Sequence, residues 1–317
     1  MENKQLKFKY SDTNKRYYTY DYFLKQKFGK KICKIPIDIG CTCPNIDGHF
    51  GYGGCIYCSP RGSGDFAGLP SQSVSEQIKS GMKMMTAKWG DNIGCIQYFQ
   101  AHTNTYGNIE YLKKCYYEAL NAENTVGISI ATRADCLSDE IVTLLRELSE
   151  KTFLTVELGL QSVHDCTAKL INRCHTYADF LEGYEKLSGL NVCIHLIDGL
   201  PHESHDMMIE TAAKVSDLHP QSVKIHLLHV LKNTRLGDMY NRGEIKTLTL
   251  NEYVGIVCDQ LEILSPDIVI GRVTGDGAPD DLIAPEWSRK KFVVMNEIDK
   301  EMVRRNSVQG CRSEYNT

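Results

Sequence analysis

Residues 43–58 read CPNIDGHFGYGGCIYC. Cys55 and Cys58 form a C-x-x-C pair, and Cys43 precedes Cys55 with eleven residues between them. Because the connection is rich in glycine and other turn-forming residues, it can fold back and bring the three sulfur atoms around one metal centre. A structural zinc site takes four protein ligands, as does an ordinary electron-transfer iron–sulfur cluster. Three cysteines without an evident fourth ligand therefore indicate a centre that keeps one coordination position open for chemistry.

The composition is that of a globular protein with a large core. The chain has 317 residues, of which 42% are hydrophobic and 24% are charged, so it can fold without disulfides. The first residues lack the apolar core of a signal peptide, and no apolar run is long enough to cross a bilayer. We therefore expect a cytoplasmic protein without membrane contact, whose thirteen cysteines are reduced or bound to metal.

Predicted strands and helices alternate along most of the chain. Right-handed crossovers wind such β/α units into a barrel or an open part of one. The barrel is expected at residues 31–232, after an N-terminal arm at 1–30 and before a C-terminal extension at 233–317 that closes the open side. The six barrel strands, each with an apolar run, are predicted at 31–38, 95–100, 126–130, 153–158, 192–197 and 223–228; the extension adds a strand at 267–273 and a loop at 274–279.

Polar residues follow the predicted strands. Strand two ends in Gln100, which a polar loop with Asn104 follows. Strand three ends near Thr132, and strand four carries Glu157 and ends near Gln161. Reactive groups of a β/α barrel lie at these carboxyl ends. One polar strand end is only an ordinary loop, but polar residues at five or six ends together predict a pocket.

The cysteine loop and the segment after it resemble the radical S-adenosylmethionine (radical SAM) enzymes. Most members carry C-x3-C-x2-C after the first strand; the longer first gap here resembles the branch that contains the catalytic subunit of Elongator. The run CPNxDG to GGCIYC, followed by GSGDF at residues 62–66, is similar to the YhcC/YtqA group of small bacterial radical SAM proteins. The resemblance implies an α/β fold with a partial (β/α)6, TIM-like barrel, and the count of six strands agrees with it.

The resemblance also implies the cofactors. Cys43, Cys55 and Cys58 would hold a [4Fe–4S] cluster, and the amino and carboxylate groups of SAM would occupy its fourth iron. One electron from the cluster would cleave SAM to methionine and a 5′-deoxyadenosyl radical. A reducing protein such as flavodoxin or ferredoxin is then the expected electron donor.

The SAM contacts are carried over in the same way. Tyr57, between two of the cysteines, would contact the adenine, and Glu157 would bind the ribose hydroxyls. Arg173, in the sequence Asn-Arg-Cys-His that matches the family's Asn-Arg-x-His motif, would bind the methionine carboxylate. A buried carboxylate such as Glu157 also needs a polar ligand or a basic neighbour. The remaining predicted SAM contacts are Gln100, Asn104, Thr132 and Gln161.

Some cysteines and histidines have two interpretations. Cys41 could replace Cys43 with a thirteen-residue gap, but Cys43 heads the Cys-Pro-Asn run and is preferred. Cys136 lies beside the end of strand three, whereas most other cysteines are scattered as buried thiols are. Three histidines could line the substrate side or be ordinary core residues: His195, His226 and His229.

The charge distribution bears on the substrate. The net charge is −4, yet residues 1–35 carry nine lysines and one arginine against three acidic residues, with tyrosines between them and a helix predicted at 13–28. This pattern suits phosphate contact and base stacking, although the same residues could form an arm packed on the barrel. Together with the resemblance, it favours an enzyme that modifies the 5-position side chain of tRNA wobble uridine, in a step of the carboxymethylaminomethyl to aminomethyl type.

Two alternative functions follow from other interpretations of the same features. If the basic arm is only structural, the radical SAM enzyme would act on a small metabolite or a protein, and tRNA binding would be weak and insensitive to salt. If Cys41 or His49 supplied a fourth ligand, the loop would be a zinc-binding module without catalysis. Metal analysis separates the second alternative, since it requires zinc without iron or sulfide.

Overall fold

The fold is built on one parallel sheet. The computed structural model describes residues 8–275, 277 and 280–313; residues 1–7 of the predicted arm, residues 276, 278 and 279 of the predicted loop and residues 314–317 lie outside the described part. Seven parallel strands form a curled half-barrel, which confirms the α/β partial barrel and adds one strand to the predicted six. The sheet order is β1 (Lys31–Ile37), β2 (Ile93–Phe99), β3 (Thr125–Thr132), β4 (Phe153–Gln161), β5 (Val192–Asp198), β6 (Ser222–Leu227) and β8 (Val269–Arg272), while β7 (Val230–Leu231) pairs antiparallel with β9 (Leu282–Ala284).

Helices connect the strands and pack on the sheet. The predicted helices between the strands are present, and two short helices that the pattern did not predict, α5 and α8, lie after β4 and β7. Among the described residues, no helix is both long and apolar enough to span a membrane. The helices are α1 (Tyr20–Phe28), α2 (Val74–Trp89), α3 (Ile109–Leu120), α4 (Asp139–Ser149), α5 (Asp165–Leu170), α6 (Tyr177–Lys186), α7 (His205–Leu218), α8 (Arg235–Asn241), α9 (Leu250–Ile263) and α10 (Lys291–Arg304), with 3₁₀ turns at Ala134–Cys136 and Glu286–Arg289.

Helix α1 begins later than its sequence pattern predicts. The hydroxyl of Thr19 accepts a hydrogen bond from the amide of Tyr22 (3.2 Å), so Thr19 caps the helix. The preceding residue is held in another way, because the carbonyl of Tyr18 accepts a hydrogen bond from the amide of Ile270 in β8 (2.7 Å). The helix predicted from residue 13 was therefore wrong at its N-terminal end, where sheet pairing replaces helical hydrogen bonds.

The N-terminal segment covers the edge of the sheet and uses much of its charge within the chain. Thr19 forms a parallel bridge with Ile270, and α1 packs against both β1 and β8. Four of its lysines, Lys15, Lys25, Lys31 and Lys34, form ion pairs with acidic side chains of the same chain. The described part of the basic arm is thus largely packed on the barrel.

Glycine at position 183 permits a close approach between α6 and the 3₁₀ turn after β3. A Cβ atom on Gly183 would overlap the carbonyl oxygen of Ala134. Gly183→Ala is therefore expected to lower the free energy of unfolding by about 1–3 kcal/mol. Gly255, inside α9, is the matched control, because its added Cβ would meet nothing closer than Arg305 Nη2 at 4.0 Å. Gly255→Ala should raise the free energy of unfolding by about 0.5–1 kcal/mol. Equal urea midpoints for the two variants would contradict the close approach between Gly183 and Ala134.

Candidate active site and metal centre

The cysteine loop follows β1 and is held by hydrogen bonds within the loop and by one from Asn172 outside it. Within the loop, the amide of Gly54 donates to the carbonyl of Asn45 (2.8 Å), and the amide of Cys58 donates to the carbonyl of Cys55 (3.1 Å). Gly54 has a φ of +67°, a conformation that residues with side chains rarely adopt. From outside the loop, the side-chain amide of Asn172 donates to the carbonyl of Gly54 (2.7 Å). The first residue of the Asn-Arg-Cys-His sequence therefore holds the loop in place.

Polar side chains surround the sulfur atoms. The Cys43 sulfur lies 3.0 Å from the hydroxyl oxygen of Thr103, which follows β2. The side-chain nitrogen of Asn45 lies 3.4 Å from the sulfur of Cys55 and donates to it. Hydrogen bonds to sulfur and ordered loop geometry are the surroundings that metal-bound thiolates require.

Positive charge also favours thiolates here. A hydrogen bond from Cys58 holds the pKa of the Cys55 thiol well below its usual value, and the guanidinium groups of Arg173 and Arg133 act in the same direction. Burial of the Cys43 thiol raises its pKa, against the hydrogen bond from Thr103 and the same two arginines. The hydrogen bond to Cys55 and burial raise the pKa of the Cys58 thiol well above its usual value, again against the charge of Arg173. Arg173 thus acts on all three thiols in the direction of the thiolate, the form that binds metal.

The spacing of the three sulfur atoms distinguishes two kinds of centre. Zinc–sulfur bonds are about 2.3 Å long, so two sulfur atoms on one zinc ion lie at most about 4.6 Å apart. In the described part of the chain, only Glu157, Cys193 and His195 bring three such ligand atoms within 4.8 Å of one another. The sulfur atoms of Cys43, Cys55 and Cys58 do not all lie within 4.8 Å of one another, and a cluster with several irons takes each thiolate on a different iron.

Cys43 and Cys41 lie in different surroundings. Cys43 lines the same cavity as Cys55 and Cys58. Cys41 instead packs against the main hydrophobic core and is absent from the described lining of that cavity. The geometry favours Cys43 as the first cysteine of the set, and its role as a ligand stays a prediction.

A cavity of about 470 Å³ extends from the cysteine loop into the half-barrel. Asn104, a predicted SAM contact, is absent from the described lining; its buried amide donates to the carbonyls of Ala101 (3.0 Å) and Ala131 (3.0 Å) and so ties the loop after β2 to β3. The other predicted SAM contacts all line the cavity: Tyr57, Gln100, Thr132, Glu157, Gln161 and Arg173.

Two arginines lie near the cysteines. Arg173 is buried and donates from Nη2 to the carbonyl of Gly159 (2.6 Å), while its buried Nε has no hydrogen-bond partner. Arg133 was not predicted as a site residue; it is paired with Asp135 (2.6 Å), and its buried Nη1 has no hydrogen-bond partner. Buried donors are normally satisfied. These two side chains therefore provide unused donors at the cysteine end of the cavity, which fits an anionic group of a bound cofactor.

The remaining predicted contacts on this wall are held by neighbouring loops. The side-chain nitrogen of Gln100 donates to the carbonyl of Ser63 (2.7 Å) in the segment after the cysteine loop. The hydroxyl of Thr132 pairs with that of Thr105 (2.5 Å). Gln161 ends β4 with a φ of +73°, a conformation unusual for a residue with a side chain. Their roles toward SAM stay predictions.

The deeper part of the cavity carries a cluster of charged side chains, here called the floor cluster: Lys34, Glu157, His195 and Lys224. Glu157 Oε1 accepts a hydrogen bond from Lys34 (2.6 Å). Its Oε2 accepts one from Lys224 and lies 2.8 Å from Nε2 of His195. The sequence predicts a polar ligand or a basic neighbour for Glu157, and the structure provides three: Lys34, Lys224 and His195. A carboxylate has about four lone-pair sites, and Lys34, Lys224 and His195 occupy three of those on Glu157. One site is left for a ribose hydroxyl, and ribose binding by Glu157 stays a prediction.

Mutual proximity sets the charge of the floor cluster. Burial raises the pKa of Glu157, but Lys224 and Lys34 outweigh it and hold this pKa well below its usual value. Burial, with the charge of Lys34 and against that of Glu157, lowers the pKa of Lys224 to about 8. Burial and Lys224 lower the pKa of His195 to about 4. At neutral pH the cluster therefore contains two ammonium groups, one carboxylate and a neutral imidazole.

The structure separates the other candidates. His195, His226 and His229 all line the cavity, and their role toward a substrate stays a prediction. Cys136 is absent from the described lining. Neither lysine of the floor cluster was predicted; each lies inside a strand, Lys34 in β1 and Lys224 in β6, and a charged residue inside a barrel strand is a signal that could have drawn attention to them.

Comparisons with known proteins agree with this geometry. Sequence profiles of the radical SAM superfamily and of the radical SAM C-terminal domain match residues 46–215 and 220–304. The chain is 48% identical over 305 residues to the uncharacterized protein YtqA of Bacillus subtilis, covering 96% of this chain and 94% of that protein. It is 30% identical over 156 residues to a tRNA uridine(34) acetyltransferase of Methanocaldococcus infernus, covering 48% of this chain and 29% of that enzyme.

A solved structure is similar over most of the fold. The archaeal Elp3 of Methanocaldococcus infernus, with an N-terminal deletion, superposes with a TM-score of 0.65 at 20% identity, covering 90% of this chain and 65% of that chain. This likeness concerns the fold, whereas the sequence profile and the relative from Bacillus subtilis establish the family. The chain belongs to the radical SAM superfamily.

Proposed function

We propose that this protein modifies tRNA, converting the carboxymethylaminomethyl side chain of wobble uridine to aminomethyl. The observation that carries the choice of substrate is the sequence likeness of half of the chain to an enzyme named for tRNA uridine 34. The alignment covers only 29% of that enzyme. We therefore propose the same target nucleotide for this protein but do not propose acetyl transfer.

Membership in the superfamily implies SAM and a [4Fe–4S] cluster as cofactors. In the proposed arrangement Cys43, Cys55 and Cys58 hold the cluster, because they face one cavity with wide spacing. The unused Nε of Arg173 is available to the SAM carboxylate. When bound, the cluster supplies the electron that cleaves SAM and yields the radical that abstracts a substrate hydrogen. A flavodoxin- or ferredoxin-type protein is the proposed electron donor.

The surrounding side chains then position the substrate and exclude water. Tyr57 lies in the cavity wall beside the cysteines and packs against a buried hydrophobic cluster that includes Ile56, Ile171 and Leu200. Its ring is available there for the adenine. The inward-facing residues of the half-barrel enclose the space beyond it. A substrate side chain that enters this space is surrounded by protein on most sides, which suits chemistry that water would quench.

The decisive test is mass spectrometry of tRNA nucleosides from a deletion strain and its parent. We expect the aminomethyl-type wobble uridine to disappear and its carboxymethylaminomethyl precursor to accumulate. Wild-type protein should restore the parental profile, while Cys58→Ala should fail to do so. Identical nucleoside profiles in the two strains would refute tRNA modification and leave the family assignment intact.

A small metabolite or a protein is the second candidate substrate. It is favoured by the packing of the described part of the basic arm, in which Lys15 and Lys25 pair with acidic side chains of the same chain. Salt dependence of tRNA binding separates the two candidates. Phosphate contacts give an affinity that falls steeply with salt, whereas weak and salt-insensitive binding would favour the second candidate.

A further inference from the structure

The floor cluster holds more positive than negative charge. Lys34 and Lys224 share the single carboxylate of Glu157. Among the described residues that line the cavity, the only other acid is Asp65, whose carboxylate lies by Ser59 after the cysteine loop (3.1 Å). A buried charge without a counterion is expensive. Among the described residues of the floor cluster, two ammonium groups therefore share one carboxylate.

All four side chains of the floor cluster line the cavity, but its bases are more exposed there than its acid. The side chain of Glu157 is 0% exposed, whereas those of Lys34 and His195 are 23% and 16% exposed and that of Lys224 is 8% exposed. A ligand entering the cavity thus meets ammonium and imidazole groups first. Glu157 lies behind them and fixes their positions.

Each ammonium group keeps donors for a ligand. A lysine has three N–H donors. Lys34 uses one on Glu157 and lies over the rings of Tyr20 (5.0 Å) and Tyr98 (4.7 Å). Lys224 uses one on Glu157 and one on the hydroxyl of Tyr98 (3.4 Å). At least one N–H of each lysine therefore has no hydrogen-bond acceptor among the residues that the structure describes.

His226 adds an independent observation. Its ring lies 5.1 Å from that of His195, it lines the cavity, and its buried Nε2 has no hydrogen-bond partner. Buried polar atoms are rarely left in this state. An imidazole nitrogen without a partner among the described residues, beside His195 and near Lys224, indicates that this part of the cavity takes a polar group.

The site lies apart from the place expected for the carboxylate of SAM. Arg173 and Arg133 lie at the cysteine end of the cavity, near the carboxyl ends of the strands. Arg173 donates from Nη2 to the carbonyl of Gly159, which follows Glu157 by two positions in β4, about 7 Å along an extended strand. An anion bound by Lys34 and Lys224 is assigned to the substrate, because Arg173 and Arg133 already offer donors to the carboxylate of SAM at the cysteine end.

We propose that Lys34 and Lys224 bind a carboxylate of the substrate at the floor of the half-barrel. Each lysine keeps at least one N–H donor that no described residue uses, and a carboxylate has two oxygen atoms that can accept one hydrogen bond from each lysine. The identity of this group rests on the proposed function: it is the carboxymethyl carboxylate that is absent from the aminomethyl product. Binding its far end at the floor would direct the bonds to be changed toward the cysteine end of the cavity.

The test compares an acid with its neutral ester. Two anticodon stem-loop RNAs, one with carboxymethylaminomethyluridine and one with its methyl ester, are titrated into the full chain, and fluorescence anisotropy gives both affinities. We expect wild type to bind the acid at least about tenfold more tightly, as hydrogen bonds to charged groups imply. Lys34→Gln and Lys224→Gln should remove this preference, while Lys214→Gln, on an exposed position of α7, should keep it.

A second variant and a second probe keep the outcomes separate. His226→Leu removes an atom that no protein group uses, so it breaks no ion pair, and it should reduce the preference several-fold even if the lysine variants do not fold. N-benzylglycine and its methyl ester test the floor without RNA. If only this small acid is preferred, and Lys224→Gln abolishes that preference, the floor site stands and the tRNA substrate is wrong. If neither acid is preferred by wild type, the floor site is refuted whatever the nucleoside profile shows.

Discussion

Cys43→Ala is expected to remove the iron from the protein and to abolish SAM cleavage, whereas Cys41→Ala should leave both close to wild type. Cys43 faces the cavity with Cys55 and Cys58, and Cys41 packs into the core. Losing one of three thiolates leaves two irons of the cluster without a protein ligand. Changes in residues that only support metal ligands cost about 10–100-fold, so loss of a ligand should cost at least a hundredfold in activity.

Iron and acid-labile sulfide, measured after anaerobic reconstitution, and the yield of 5′-deoxyadenosine give the two readouts. Cys41→Ala is a matched control because it removes a sulfur atom two residues away from the same loop. The reverse result, with iron lost from Cys41→Ala and kept in Cys43→Ala, would exchange their roles. Stoichiometric zinc without sulfide would instead support the zinc-binding module.

The parallel sheet could be predicted because its strands can be recognised from their own short stretches of sequence. All seven residues of β2 are buried, and an apolar run of that kind is recognisable without knowing its neighbours. The seventh strand, β8, was predicted as an element but not as a member of the barrel sheet. Its pairing with β6 is a contact between distant segments, and a short strand pattern does not specify its partner. The short helices α5 and α8 span too few turns to show helical periodicity.

In the candidate site too, features encoded in a short stretch of sequence could be predicted, whereas contacts between distant segments could not. The three cysteines were found because the loop places them within sixteen residues of sequence. Asn172, which clamps that loop, and Arg133 could be named from the sequence, but their contacts depend on packing. Lys34 and Lys224 meet only because β1, β4 and β6 curl around one space. The sequence demanded a basic partner for Glu157 but could not say which lysines would be within reach.

Glu157→Ala is expected to lower the free energy of unfolding by about 3–5 kcal/mol, the usual cost of breaking a buried ion pair by removing one partner. The change leaves Lys34 and Lys224 in the half-barrel without their shared carboxylate. Urea unfolding of the metal-free chains at pH 7, followed by circular dichroism, measures the loss. Glu123→Ala, on an exposed residue before β3, is the control and should change stability little.

The pH dependence of that loss identifies its cause. In the folded wild type, burial and the neighbouring Lys34 already lower the pKa of Lys224 to about 8, and removing Glu157 should lower it further. Between this pKa and the ordinary value of about 10.4, the unfolded chain binds more protons, so the contribution of Lys224 to stability rises with pH. Cysteine and tyrosine ionisation is common to both proteins and cancels in the difference. The deficit of Glu157→Ala should therefore shrink between pH 7 and pH 9, because Lys224 in the variant can lose its proton at little cost. A variant as stable as wild type at pH 7, but with much weaker SAM binding, would show instead that Glu157 serves mainly as the predicted ribose ligand.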